Sequence, residues 1–304
     1  MDNYKSIDTY EEYQTKMKDF IAHVKLMVGE KGKPCPINCI IVSGEKGVGK
    51  SFQVEKTLES LKDIRPYLIY KGEISPVEMY KLMWQHNDSI IVLDDVNGII
   101  TDKNQGSSLL KAACEDKVRR RLFWKKQNPN CVHVDQDNPL DNEEVALKMK
   151  RRVDAIGSKK LVAKLANEEL FPDTFFFTGA IIILTNKPLS VIDKASEKAL
   201  ANRSWHQEML FSVDGAIDLI KNIGSMLVGY KDQDSLEQDP LTQESVDNAV
   251  KFLTTEDHIK FYKKFDHIPT FRTLKRVARE FQYKVTEITD DTILNNTESR
   301  VYSR

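Results

Sequence analysis

The residues with the clearest capacity for chemistry run Gly44-Glu45-Lys46-Gly47-Val48-Gly49-Lys50-Ser51, with Phe52 directly after them. Closely spaced glycines let consecutive backbone N–H groups turn inward around an anion, where a Cβ would crowd the approach. Lys50 adds a cation with the reach to meet the terminal phosphates of a nucleoside triphosphate, and the Ser51 hydroxyl adds a ligand for Mg²⁺. The chemistry implied is the gripping of a polyphosphate tail.

Such a grip is incomplete without an acid that holds the metal, and that acid belongs at the C-terminal end of a neighbouring buried strand. Asp94 closes the apolar run Ile90-Ile91-Val92-Leu93 and meets that requirement. Asp95 follows at once, and a second carboxylate beside the first can orient an attacking water or accept its proton. Together these residues predict binding of Mg-ATP and its hydrolysis to ADP and phosphate.

The elements that must position them are legible from apolar patterning. Cys39-Ile40-Ile41-Val42-Ser43 is a short continuous apolar run, the mark of a strand buried on both faces, and it leads into the glycine-rich turn and then a helix. Pro66-Tyr67-Leu68-Ile69-Tyr70, the run ending in Leu93 and Ala180-Ile181-Ile182-Ile183-Leu184 repeat the pattern, with Met209-Leu210-Phe211 as a fifth candidate strand. Between them, Ser75-Pro76-Val77-Glu78 opens a helix with an N-cap, a proline at the first position and a reciprocal Glu. Strands alternating with helices predict a three-layer αβα core around a parallel five-stranded sheet.

Flanking that core, residues 9–28 read as a helix with a Thr9-Tyr10-Glu11-Glu12 capping box and a face of Tyr13, Met17, Phe20, Ile21, Val24 and Met27. From about residue 214 the pattern becomes purely helical, clearest over 242–253 and 270–283. The expected organisation is an N-terminal helix (1–30), an αβα nucleotide-binding domain (31–213) with a charged insert at about 115–170, a helical lid domain (214–290) and a polar tail (291–304).

Composition sets the outer bounds. A chain of 304 residues with 40% hydrophobic and 30% charged residues and a net charge of -1 is an ordinary globular protein, and its overall charge points to no polyanion. Its polar, acidic start and the absence of a spanning apolar run predict a cytoplasmic location with no membrane partner. Cys35, Cys39, Cys114 and Cys131 are expected to be reduced and structural. The six histidines include no pair spaced for zinc. The stretches at 135–138 and 232–235 begin like calcium loops but lack the glycine and closing glutamate.

With Asp94 and Asp95 placed, the order of motifs resembles the AAA+ superfamily of P-loop ATPases, over about residues 30–285. The resemblance implies that Asn186, after the strand ending Leu184-Thr185, is the polar sensor 1 residue that helps hold the attacking water. It implies that Arg203, in Ala199-Leu200-Ala201-Asn202-Arg203, is an arginine finger acting on a neighbouring subunit's site, and hence that the protein forms a homo-oligomeric ring. It also implies that Arg272, in Pro269-Thr270-Phe271-Arg272, is the sensor 2 arginine that touches the γ-phosphate from the lid. The layout, including Lys71-Gly72-Glu73, Leu109–Ala113 and Phe175-Phe176-Phe177-Thr178-Gly179, resembles small bacteriophage-encoded AAA+ ATPases, whose location would be the host cytoplasm. The family usually carries Glu as the second acid, so Asp95 makes slow or switch-like turnover an expectation worth testing.

A guanine-nucleotide switch is the competing reading, because Asp95-Val96-Asn97-Gly98 and Asn186-Lys187-Pro188-Leu189 partly match GTPase motifs. Leu189 stands where guanine selectivity needs a carboxylate.

For the substrate, the stretch 111–164 carries fourteen Lys/Arg against eight Asp/Glu. Arg119, Arg120 and Arg121, next to Phe123-Trp124 and then Lys125 and Lys126, combine charge with stacking surface, which suits a nucleic-acid backbone. A DNA motor or loader is therefore expected; a protein-remodelling ATPase and a slow ATP-dependent assembly switch are the alternatives.

Overall fold

The structure, a computed structural model, describes residues 6–96, 98–99, 105–124, 128, 131–132, 171–188, 200–229, 239–265 and 267–283. Lys125, Lys126, Leu189, the acidic stretches at 135–138 and 232–235, most of the charged insert and the polar tail lie outside them. The chain divides into two compact units, one of residues 21–43 and 51–207, the other of 1–20, 44–50 and 208–304.

The first unit is built on β1 (Cys39–Gly44), β2 (Tyr67–Lys71), β3 (Ile90–Asp94) and β8 (Ala180–Thr185), with β9 (Trp205–Met209) completing a five-stranded sheet in the order β2-β3-β8-β1-β9. The pairs β2·β3, β3·β8 and β8·β1 are parallel. Continuous apolar runs form β1, β3 and β8 because both of their faces are covered, whereas β2, at one sheet edge, is only half-buried. Cys39, Ile41, Ile91, Leu93, Ile181 and Ile183 point one way into a core shared with α3 (Pro76–Gln85) and α4 (Gly106–Ala113), through Met79, Tyr80, Met83, Leu109 and Leu110. The alternate residues Ile40, Val42, Val92 and Ile182 point the other way and are equally buried.

α3 begins as its sequence predicts: the Ser75 side chain accepts from Glu78 N–H and Pro76 fills the first turn. The fifth strand is displaced from the expected Met209–Phe211 to Trp205–Met209. Trp205-His206-Gln207-Glu208 has no apolar run, because this strand is at the sheet edge and buries only its last residues.

A second, smaller ribbon pairs β4 (Arg120–Phe123) antiparallel with β7 (Thr174–Phe177), and the two-residue strands β5 (Cys131–Val132) and β6 (Phe171–Pro172) pair parallel. All four cysteines are free thiols, and burial pushes the Cys39 thiol well above its ordinary value. No helix among the described residues is long and apolar enough to cross a membrane.

The second unit packs α5 (Val213–Ile223), α6 (Gln243–Leu253), α7 (Glu256–Phe265) and α8 (Phe271–Gln282) around Ile220, Val246, Leu253, Tyr262, Leu274 and Val277. The N-terminal segment joins this unit. Ile7 is fully buried, bridges Phe211, donates its N–H to Leu210 and accepts from Ser212. Helix α1 (Tyr10–Val28) follows, its first amide, that of Tyr10, donating to the Asp218 carboxylate at 2.7 Å.

Candidate nucleotide site

Sheet register decides what lies beside what. Ser43 pairs with Thr185 and Leu184 with Asp94, so β8 stands between the strand that enters the glycine-rich loop and the strand that ends in the acids. Asn186, one residue past β8, therefore emerges next to Asp94 and Asp95. Its Nδ2 donates to the Asp95 Oδ1 at 2.9 Å, and the Asp95 backbone N–H donates to Leu184 O at 2.9 Å.

Asp95 has φ of 61°, the one positive φ among the described non-glycine residues. Left-handed backbone is uncommon outside glycine and costs on the order of 1 kcal/mol or more, although Asp tolerates it better than most side chains. The turn it makes aims the carboxylate at Asn186 instead of continuing the strand.

Asp94, at the end of β3, accepts a hydrogen bond from the Ser51 hydroxyl at 2.9 Å on Oδ1, while Lys71 Nζ stands 3.8 Å from Oδ2. The Lys71 contact is long and largely exposed, so it adds little energy. A hydroxyl oxygen beside a carboxylate oxygen is a donor set suited to a hard divalent cation that keeps most of its other ligands from water and phosphate. Among the described residues no cluster of three or more His, Cys, Asp or Glu could hold a metal alone.

In the other unit, the loop itself is held open by its glycines. Gly44 has φ of 140°, and a Cβ there would sit 2.2 Å from Met209 O; Glu45 N–H donates to that same carbonyl at 3.2 Å. Gly47 and Gly49 have φ of 74° and 90°, values that glycine reaches without strain. Lys50 is buried, and its ammonium donates to Gly44 O at 2.9 Å and Glu45 O at 2.7 Å, so the cation lies folded over the loop. Lys50 opens helix α2 (Lys50–Glu59), whose first N–H groups have no partner inside the helix and face an anion favourably.

Arg272 lies in the first turn of α8, fixed there by a capping box between Thr270 and Thr273. Its stem packs beside the loop, since a Cβ on Gly47 would come within 2.9 Å of the Arg272 Cγ. Arg203 is exposed and ends the short 3-10 turn Ala201–Arg203, apart from these groups in the chain. Phe52 is 62% exposed, with Lys56 Nζ 6.0 Å from its ring.

The basic cluster is reshaped by the ribbon. Arg120 is 1% exposed and donates to Asn38 Oδ1, Lys117 O and Gly179 O, so it ties the fold together and is removed from the set that could meet a phosphate backbone. Its neighbours alternate outward, as strand residues must. Arg119 is exposed with its guanidinium 4.3 Å over the Phe176 ring, and Arg121 lies 5.0 Å over Phe123. Trp124 packs against Tyr80 in the core and is not an open stacking surface.

One group that sequence reasoning counted only as part of a helix face is Tyr13. Its hydroxyl donates to Val48 O of the loop at 2.9 Å. The signal was available, because a tyrosine on a buried face requires a partner for its hydroxyl.

No protein-family model matches the chain. Over 93 residues it is 33% identical to an uncharacterized 36.7 kDa protein of the nrdC-mobD intergenic region of Enterobacteria phage T4. That match covers 29% of this chain and 28% of the phage protein, so only a fraction of either length is shared. Among solved structures, the Aeropyrum pernix ORC1 protein in complex with DNA matches at a TM-score of 0.43 and 12% identity, across 97% of this chain and 66% of that one.

Proposed function

We propose that this chain is an AAA+ ATPase that binds Mg-ATP at the glycine-rich loop and hydrolyses it. The observation that carries the reading is the pair of successive acids at the end of β3, each held separately: Asp94 by Ser51 and Asp95 by Asn186. These two separate partners support a reading in which one carboxylate serves a metal and the other a water.

In this reading Gly44 to Lys50 supply amides to the phosphates, and Lys50 exchanges its carbonyl partners for phosphate oxygens. Ser51 and Asp94 would hold Mg²⁺, which supplies neutralisation of the charge on the phosphates. Asp95 orients the attacking water and Asn186 fixes the carboxylate that does so. Arg272, on a lid formed by the C-terminal helices, adds a cation beside the loop. Arg203, exposed on its turn, reaches a neighbouring copy's nucleotide in a ring.

For substrate we favour DNA, through Arg119, Arg121, Phe123 and Phe176 on the outer face of the ribbon, with Lys125 and Lys126 as further contributors. Steady-state ATPase assays with and without single-stranded and duplex DNA test this. Stimulation that falls with salt and with Arg119→Ala/Arg121→Ala supports a DNA motor; indifference to DNA removes it.

A second reading, a slow ATP-dependent assembly switch, is favoured by one observation. Asp95 is a methylene shorter than Glu and its carboxylate is already engaged by Asn186. A single-turnover rate matching an equally slow steady-state rate, with assembly following ATP binding, selects the switch.

A further inference from the structure

A loop that aims its N–H groups inward must aim carbonyls outward, and each outward carbonyl that is buried requires a donor. Val48 is 4% exposed and its carbonyl takes the Tyr13 hydroxyl at 2.9 Å. The same hydroxyl stands 3.4 Å from where a Cβ on Gly49 would lie, so it covers the loop at the Val48–Gly49 junction.

At that junction the loop's own chain does little to fix the peptide plane, because a glycine follows it. A trans peptide is planar, so the Val48 C=O and the Gly49 N–H point in opposite directions and turn together. Glycine follows it, with φ of 90°, and glycine accepts positive and negative φ alike. Nothing steric in residue 49 itself opposes rotation of the peptide, which would carry the N–H away from an anion and the carbonyl oxygen toward it.

Tyr13 is held firmly enough to prevent this. Its ring stacks on Tyr10 with centroids 6.1 Å apart and tilts against Phe211 at 5.8 Å. Its own N–H donates to Thr9 O, and the neighbouring Tyr10 N–H is bound by Asp218 of α5. Burial, with Tyr10 nearby, pushes the Tyr13 hydroxyl up to about 12, so the donor stays protonated throughout the neutral range.

We propose that Tyr13 is a positioning residue for the phosphate loop, its hydroxyl locking the Val48–Gly49 peptide so that the Gly49 N–H faces the nucleotide. This rests on the reading of the loop as an ATP site. It gives the N-terminal helix a part in nucleotide affinity with no contact to the nucleotide itself. The lock acts on binding in ground and transition states alike, so its loss raises KM and leaves kcat in place.

The test uses the full chain and Tyr13→Phe, which removes one oxygen and keeps the ring. Glycine-labelled protein without nucleotide should show new millisecond exchange at the Gly49 amide in Tyr13→Phe that the wild type lacks. Equilibrium binding of Mg-ATP should weaken by about 5- to 30-fold, with kcat unchanged at saturation. Tyr67→Phe, which loses a hydroxyl bond to exposed Glu59, should leave both readouts as in the wild type. An unaltered Gly49 amide together with wild-type affinity in Tyr13→Phe overturns the lock, as does a fall in kcat without a change in affinity. If the wild type fails to bind Mg-ATP, the nucleotide reading falls by itself, and the Gly49 exchange still decides whether Tyr13 holds the peptide.

Discussion

Asn186 holds Asp95: the amide nitrogen beyond β8 donates to the carboxylate beyond β3 at 2.9 Å, on a backbone turned to φ of 61°. Removing the negative charge while keeping the shape is the direct probe of that pairing. Asp95→Asn should fold normally, because asparagine also tolerates left-handed backbone. It should bind Mg-ATP as the wild type does and lose about 10²- to 10⁴-fold in kcat, measured by phosphate release. Undiminished hydrolysis would remove Asp95 from the chemistry.

Ser51 and Asp94 form the other pairing, and their variants should separate metal from nucleotide. Ser51→Ala removes the hydroxyl that donates to Asp94 and, with it, the proposed Mg²⁺ ligand. Wild-type affinity for ATP should drop when magnesium is chelated; in Ser51→Ala the affinities with and without magnesium should converge. A variant with full magnesium dependence would place the metal elsewhere.

Arg203 is exposed, and the work proposed for it is on another copy's nucleotide. Arg203→Ala should bind ATP and hydrolyse it about 10³- to 10⁵-fold more slowly. Mixing it with Lys50→Ala, which has an intact arginine and an empty grip, should restore part of the activity. Mixtures no more active than their components would confine Arg203 to its own chain or to no catalytic part.

Arg120 and Arg119 are adjacent and should behave oppositely. Arg120→Met leaves the Asn38 side chain and the Gly179 carbonyl without their buried donor, and should lower the unfolding free energy by about 2 to 3 kcal/mol. Arg119→Ala should change stability by about 0.5 kcal/mol or less, because its side chain lies outside the core. Urea denaturation of the two variants measures both.

The difference between these two arginines shows where sequence reasoning stopped. The sheet strands that carry the loop and the acids were legible, since β1, β3 and β8 are buried on both faces and read as unbroken apolar runs. The first helix and α3 were legible from a local capping signal, and α6 and α8 from helical patterning, their Thr242 and Thr270 caps emerging only in the structure. The β4·β7 ribbon was not. Arg120-Arg121-Leu122-Phe123 reads as a charged surface until Phe175 and Phe177 are known to pack behind it, and that pairing spans more than fifty residues of chain. Edge strand β9 hid its pattern similarly, with polar residues over most of its length. The partner of the Tyr13 hydroxyl was missed for a third reason: a tyrosine on a buried face signals that its hydroxyl needs a partner, and hydrophobic spacing does not say which atom supplies it.

The most direct measurement is equilibrium dialysis of the purified chain against radiolabelled ATP, with magnesium present, beside Lys50→Ala. Saturable binding of about one nucleotide per chain is expected in the wild type, displaced by unlabelled ATP and lost in Lys50→Ala, which removes the ammonium folded over the loop. Wild-type protein that retains no ATP, or a Lys50→Ala variant that retains it undiminished, would contradict the account at its base.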